Sequence, residues 1–417
     1  MFRLQGRIQH YAWGSHHALP DFVGLPADGL PWAEIWYGSH PSAPAVVTST
    51  TPWFPVPSQA QNEVADPAAS HTLNEIIAAD PTAVLGPDAA PTSVLPYLVK
   101  LLAAGRPLSL QAHPDADQAA AGYAHERQVG TSPTECNYAD GRHKPETLFA
   151  LLPTRALAGF RTPAAILADL RRLDVVGLGK AIEAMAQSDN DEEALRSGFD
   201  TVLRLEQSAV DEALAAIAAR MVQPAEEHLW GSDSLAVAAE LLVHYPGDVG
   251  VLAAIFLNAL ELEPGEALSV GAGVVHCYVS GLGLEVMANS DNVLRAGLTK
   301  KRVDFDELVR ILDFKPGGAL VSGPERQRIP GTPSTVRNYK TPAAEYAVKI
   351  YEINGGTYPV EVTDTAGPRI VVGLDGATVV SSQQSRMALT AGDAVLGIDG
   401  EALRLTGQGS VAIVRVP

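Results

Sequence analysis

Cysteine is scarce: Cys136 and Cys277 are the only two in 417 residues. Two thiols cannot build a disulfide framework, and no CxxC spacing offers a thiolate metal site. A reducing, cytoplasmic home is the expectation. Long apolar runs are missing as well. None reaches the ~18 residues that a membrane span requires. The opening Met1-Phe2-Arg3-Leu4-Gln5-Gly6 has no apolar stretch behind it, so no secretory leader is expected. Basic residues are outnumbered, 30 Lys and Arg against 48 Asp and Glu, for a net charge of −18. That balance argues against nucleic acid and anionic membranes as partners. It also makes any local cluster of Lys and Arg informative, because an anionic substrate would need one. No Gly-rich nucleotide loop is present.

The chain is long enough for two or three domains with sizeable cores. Short strand-like runs fill residues 1 to about 50, and Ser49 to Ser70 reads as a loop. Thr72 and Glu75 form a capping-box pattern at the start of a helix. Leu95 to His113 reads as strands around a Gly105-Arg106-Pro107 turn. The texture changes at Thr162-Pro163, a cap followed by a first-turn proline. From there to about Leu260 apolar residues recur at three- and four-residue spacing. Examples are Ala164, Ile166, Leu167, Leu170 and Leu173, then Val210, Leu214, Ile217 and Met221. Ser234 and Asp248 are expected helix caps, and Gly250 to Leu262 is expected as a buried helix. Strand texture returns after Glu261. Lys315 to Arg337, rich in Pro and Gly, reads as a linker, and the last stretch is β again. Leu262-Glu263-Pro264-Gly265-Glu266-Ala267-Leu268 echoes Leu389-Thr390-Ala391-Gly392-Asp393-Ala394-Val395. Counted from those glycines, His276 in the first copy corresponds to Leu403 in the second. Two related barrels, only one with a metal ligand, would explain this.

The chemistry gathers around Gln111-Ala112-His113, His143-Lys144-Pro145-Glu146 and His276-Cys277-Tyr278. Strand residues two apart share a face, so Gln111 and His113 would enter one cavity. Glu146 and His276 would join them. Two imidazoles, a carboxylate and an amide oxygen suit Zn²⁺ and leave room for water or a substrate oxygen. Mn²⁺, Fe²⁺ and Co²⁺ also accept such a set. His143 competes with His276 as the second imidazole. Cys277, next to a ligand, would face the opposite side of its strand. Just downstream, Glu285, Asp291, Asn292, Arg295, Lys300 and Lys301 crowd one short stretch. Read functionally, the cations bind an anion while a carboxylate works as base.

These blocks resemble type I phosphomannose isomerases, zinc enzymes of the cupin superfamily. The resemblance is carried by Tyr11-Ala12-Trp13-Gly14-Ser15, Ala33-Glu34-Ile35-Trp36-Tyr37-Gly38-Ser39-His40-Pro41 and Leu95-Pro96-Tyr97-Leu98-Val99-Lys100. It continues through Pro107 to Pro114, His143 to Glu146, His276 to Tyr278 and Ser290 to Thr299, in order along the first 300 residues. It weakens in the helical and C-terminal parts. It implies that Gln111, His113, Glu146 and His276 hold one zinc ion per chain and that Arg295 is a catalytic arginine. Glu285, Tyr278, Asp291, Lys144 and Lys301 match positions lining a sugar-phosphate pocket, and Ser109 and Lys100 lie in matching text. Around the last ligand the chain departs from the family, with Val274, Val275 and Cys277 where Pro and Ala are usual.

The implied reaction interconverts mannose 6-phosphate and fructose 6-phosphate by moving a proton between C2 and C1. Either Glu285 or Asp291 would be the base. Arg295 would stabilise developing charge, and Lys144 or Lys301 would hold phosphate or sugar. The expected protein is a cytoplasmic monomer acting on a small sugar phosphate. The expected fold is mainly β with an α insert. Residues 1–158 and 258–315 would form a cupin-like, jelly-roll barrel, 159–257 a helical domain, and 316–417 a second, metal-free barrel. The alternatives are another cupin metalloenzyme, such as an iron dioxygenase, and a sugar-phosphate sensor without turnover. A bifunctional relative that also transfers a nucleotide is disfavoured by the missing nucleotide signature.

Overall fold

One long strand, His276–Ala288, organises the half of the molecule that carries the chemistry. It pairs antiparallel with four others: Tyr97–Ala104, Leu110–Ala112, Glu146–Ala150 and Thr154–Phe160. The structure is a computed structural model and describes residues 1–49, 71–87, 94–132, 134–220, 233–355 and 359–417. The described strands fall into two sheets of eleven. Eleven α-helices among the described residues accompany them. This is the sheet-rich, mixed architecture expected. Among the described residues, however, each sheet's main pairing path is open-ended, and no closed barrel forms.

The pairing of His276–Ala288 changes partners near its middle. The register slips between Tyr278 and Ser280, with one extra residue opposite Ala156 and Arg155. Gly281 follows with φ 122°, a conformation that favours glycine. An extra residue reverses the side-chain alternation beyond it. Before the slip, Cys277 and Val279 pack on the helices. After it, Leu282, Leu284 and Val286 pack between the two sheets. The opposite face therefore carries His276 and Tyr278 first and Glu285 later. Strict alternation would have separated 276 from 285.

The helices back the strands of the site. Pro163–Leu173, Gly179–Ala186, Asp191–Leu203, Gln207–Arg220, Ser234–His244 and Gly250–Ala254 follow one another along the chain. Their apolar faces share one core with Leu110, Ala112, Leu157, Cys277, Leu294 and Ala296. Each large aliphatic side chain so buried contributes roughly 1.5–3 kcal/mol. The same alternation leaves Gln111, His276 and Arg295 on the other face of their strands.

Several boundaries differ from the sequence reading. The Thr72–Glu75 capping box is present. Thr162 precedes its helix without a side-chain cap. Asp233, not Ser234, caps the helix of Ser234–His244, while Ser234 donates to Asp169. Asp248 accepts from the N–H groups of Gly250, Leu298 and Thr299, tying a helix to the strand after the site. The apolar run from Gly250 is a helix only to Ala254, and Leu257–Leu262 is a strand paired with Thr154–Phe160. A continuous apolar run does not distinguish the two. The expected linker holds three short strands, Leu320–Ser322, Glu325–Arg328 and Thr335–Asn338, fixed by their neighbours. Met221 and almost all of the loop read at Ser49 to Ser70 lie outside the described residues.

The second sheet is built mostly from the last third of the chain, yet Phe2–Gln5 sits inside it, between Ala394–Gly397 and Val46–Ser49. Both glycines of the internal echo occupy left-handed turns, Gly265 at φ 96° and Gly392 at φ 82°. Each turn leads into a four-residue strand, and a strand of 13 residues follows, beginning at His276 or at Leu403.

Candidate metal centre and active site

Gln111 and His276 are direct cross-strand partners, and Gln111 also faces Arg295 across its other edge. Glu146 opens a strand flanked by Val270 and Met287. His113 follows the Gln111 strand directly. In this way four separate pieces of chain meet. The ligand atoms of His113, Glu146 and His276 lie within 4.8 Å of one another, and all three residues are buried. Glu146 Oε1 is 2.7 Å from His276 Nε2, and Oε2 is 3.2 Å from His113 Nε2. The Gln111 amide lies 3.4 Å from His276 Nε2. Rotating that amide by half a turn presents its oxygen instead.

The ring nitrogens test whether this set fits a cation. His113 Nδ1 donates to the Asn292 carbonyl at 2.7 Å, and His276 Nδ1 to the Val274 carbonyl at 2.9 Å. A neutral imidazole that donates from Nδ1 carries its lone pair on Nε2. Burial, then the Lys144 ammonium, pushes His113 down to about 4, so it is neutral near pH 7. Burial alone would raise Glu146, but Lys144 at 2.6 Å outweighs it and holds the carboxyl well below the usual range. Nitrogen and carboxylate lone pairs thus converge, balanced in part by the Lys144 ammonium, 2.6 Å from Glu146 Oε2 and 3.4 Å from His113 Nε2, and a metal ion would satisfy all of them at once. Metal-bound histidines are oriented by this kind of hydrogen bond from the second nitrogen. The donor set fits zinc.

His143 is not part of it. Its Nε2 contacts Glu345 Oε1 at 2.5 Å, outside the cluster. Cys277 is also excluded: it is wholly buried among the helices, and burial pushes its thiol up to about 12. A thiol so buried should resist alkylation in the folded protein and react only on unfolding. Maleimide labelling followed by peptide mapping, with and without denaturant, checks this. Labelling of Cys277 under native conditions would contradict the packing.

Beside the centre lies a second buried charge cluster. Lys100 Nζ is 2.9 Å from Glu285 Oε2 and 3.2 Å from Glu34 Oε1. Lys100 and Glu285 are cross-strand partners. Burial would lower the Lys100 pKa, but the two carboxylates hold it up. Burial raises Glu285 against the pull of Lys100, and the charge of Glu146 raises it further. Tyr278 is buried, and burial with the charges of Glu146 and Glu285 raises its pKa. Asp291 is different. Its side chain is 54% exposed and pairs with His40 Nε2 at 3.1 Å. That hydrogen bond keeps its carboxyl below the usual range.

Arg295 and Lys301 line a cleft of about 200 Å³ together with Cys136, Asn137 and Arg302. Burial lowers the Arg295 pKa; burial and then Arg295 lower that of Lys301. Neither forms an ion pair with a described residue. Ser109 is half-buried just before the Gln111 strand. Sequence reasoning gave no role to Glu34, His40 or Asn292, all buried here, nor to Tyr11, whose pKa is raised by burial and by Glu34. All four lie in blocks that carry the resemblance, Asn292 within Ser290 to Thr299. The signal was present, but their contacts were not.

The chain matches two family models, the catalytic domain of type I phosphomannose isomerase over residues 1–163 and its helical insertion domain over residues 176–257. It is 32% identical to the mannose-6-phosphate isomerase of Salmonella typhimurium over 421 residues, covering 99% of each chain. It is 34% identical to that of Escherichia coli over 360 residues, covering 85% of this chain and 84% of the relative. The crystal structure of a zinc-bound mannose 6-phosphate isomerase superposes with a TM-score of 0.85 at 30% identity, covering 100% of this chain and 99% of the other. By its full-length similarity, its two matched domains and its histidine–glutamate centre, this chain is a member of the type I phosphomannose isomerase family.

Proposed function

We propose that this protein interconverts mannose 6-phosphate and fructose 6-phosphate with one zinc ion per chain. The observation that carries the reading is the convergence of two Nε2 lone pairs and the Glu146 carboxylate beside a buried Lys100–Glu285 pair. Gln111, His113, Glu146 and His276 would hold the metal. When bound, zinc would supply Lewis acidity to the sugar oxygens next to the reacting carbons.

The remaining work falls to side chains. Glu285 carries the proton between C2 and C1. Its burial moves its pKa toward neutrality, where a general base is most effective. Lys100, braced by Glu34, fixes the direction of that carboxylate. Tyr278 offers a hydroxyl to the substrate. Arg295 opposes negative charge as it develops on oxygen. Lys301 holds the phosphate at the open cleft, with Ser109 near the same strand, and Lys144 keeps Glu146 ionised. Asp291, bound to His40 and half in solvent, is the weaker candidate for the base and acts at the rim. The pocket admits a small sugar phosphate, and we take the protein to be a cytoplasmic monomer. No described helix is long and apolar enough to cross a membrane.

We further assign 1–158 and 258–315 to a cupin-like catalytic unit, 159–257 to the helical insert and 316–417 to a metal-free β unit. The matched helical insertion model and the paired turns at Gly265 and Gly392 support this.

A coupled assay with mannose 6-phosphate beside glucose 6-phosphate, with metal content measured on the same sample, tests the reading. Mannose 6-phosphate should turn over, a chelator should abolish turnover, and Zn²⁺ should restore it. Full turnover after verified metal removal would reject the mechanism. Binding without turnover would favour a sensor.

A further inference from the structure

We propose that Asn292 is a positioning residue that sets the spacing between the His113 and Glu146 arms of the metal centre. The inference rests on the zinc reading given above. Asn292 is wholly buried. Its carbonyl accepts the Nδ1 proton of His113 at 2.7 Å, which fixes the ring and turns Nε2 toward the centre. Its side chain reaches a different segment, the one that leads into Lys144 and Glu146. Nδ2 donates to the Asp140 and Arg142 carbonyls, both at 2.7 Å. Oδ1 accepts from the N–H groups of Ala139 at 2.8 Å and Asp140 at 3.3 Å. A carboxamide is the only uncharged side-chain group that supplies two donors and an acceptor in one plane.

The same two segments are laced further along. Asp140 accepts from the Ser290 hydroxyl and the Asp291 N–H, each at 3.0 Å. Arg142 donates to the Asn289 carbonyl at 3.4 Å, and Ala288 N–H to the Pro145 carbonyl at 3.0 Å. Asn292 is the one side chain in this lacing whose own main chain also holds a ligand ring. Removing its carboxamide frees the Glu146 arm and loosens the His113 arm at once. The metal should then bind more weakly, while Glu285, Lys100 and Arg295 stay in place.

Zinc affinity, measured by competition with a chromophoric chelator, reads this directly. Asn292→Ala should weaken zinc binding roughly 10- to 100-fold, the range for groups that orient a metal ligand. Saturating zinc should return kcat to near the wild-type value. Asp140→Asn, a milder cut in the same lacing, should weaken binding by about 3- to 10-fold, below that range. A role in folding alone predicts a lower melting temperature of the zinc-free protein with zinc affinity unchanged. The proposal is overturned if folded Asn292→Ala holds zinc within about threefold of wild type, well short of that range. Should that variant not fold, the same result for Asp140→Asn overturns it. Wild-type protein that takes up no zinc would instead remove the zinc reading itself.

Discussion

Glu146→Gln should lose bound zinc and turnover together. The substitution keeps the size of the side chain and removes one charge from the centre of the donor set. Zinc affinity should fall by more than ~100-fold, beyond what loss of an orienting hydrogen bond costs. Turnover at ordinary zinc concentrations should fall in proportion. Stability should also drop, because Lys144 Nζ sits 2.6 Å from Glu146 Oε2 with both groups buried. Removing one partner of a buried pair costs about 3–5 kcal/mol. The two effects separate cleanly: metal content after desalting reports the first, and thermal unfolding of the zinc-free proteins reports the second. Stoichiometric zinc with wild-type turnover in this variant would exclude Glu146 as a ligand.

Glu285→Gln should act on turnover alone. Lys100 still has Glu34 at 3.2 Å, so no buried cation is stranded and the fold persists. The loss of a positioned general base lowers kcat by about 10²–10⁴-fold. Zinc content should not change. The rate profile against pH gives a second readout. The base works only when ionised, so activity falls as pH drops through its pKa. Because burial and the charge of Glu146 raise that pKa, the acid limb should lie above the ordinary glutamate range. Asp291→Asn should have a far smaller effect, since that carboxylate faces His40 and solvent. If Asp291→Asn abolishes turnover while Glu285→Gln leaves it intact, the roles are reversed.

Much of this was readable from the residues. The proposed metal ligands could be picked out because each sits in a short, distinctive block, and His113, Glu146 and His276 do converge. Gln111 and His113 share a face by strand alternation, as they do here. Cys277 faces away for the same reason. The choice between Glu285 and Asp291 was not readable, because it depends on burial and on which cation each one meets. The slip at Val279 was hidden too. Alternation carried unbroken from His276 would have turned Glu285 toward the opposite face. A bulge is set by pairing with Ala156 and Arg155, which are far away in the chain. The strand at Leu257–Leu262 and the short strands within Lys315 to Arg337 were missed for a related reason. Their conformation comes from partners, not from local preference. His143 and His276 both looked like candidates for the second imidazole, and only contacts made far along the chain separate them: His143 meets Glu345, His276 meets Glu146.

The pairing of Phe2–Gln5 with Ala394–Gly397 constrains how the molecule is made. Phe2–Gln5 has one partner close by in the chain, Val46–Ser49, but its other edge stays open until Ala394–Gly397 is available. Until then it is an unpaired edge, the kind of segment that chaperones bind and that recruits other chains. Closing so long a loop is slow compared with local helix formation. The second sheet is therefore completed only once Ala394–Gly397 has been made, and a chain cut short before it leaves one edge of Phe2–Gln5 open.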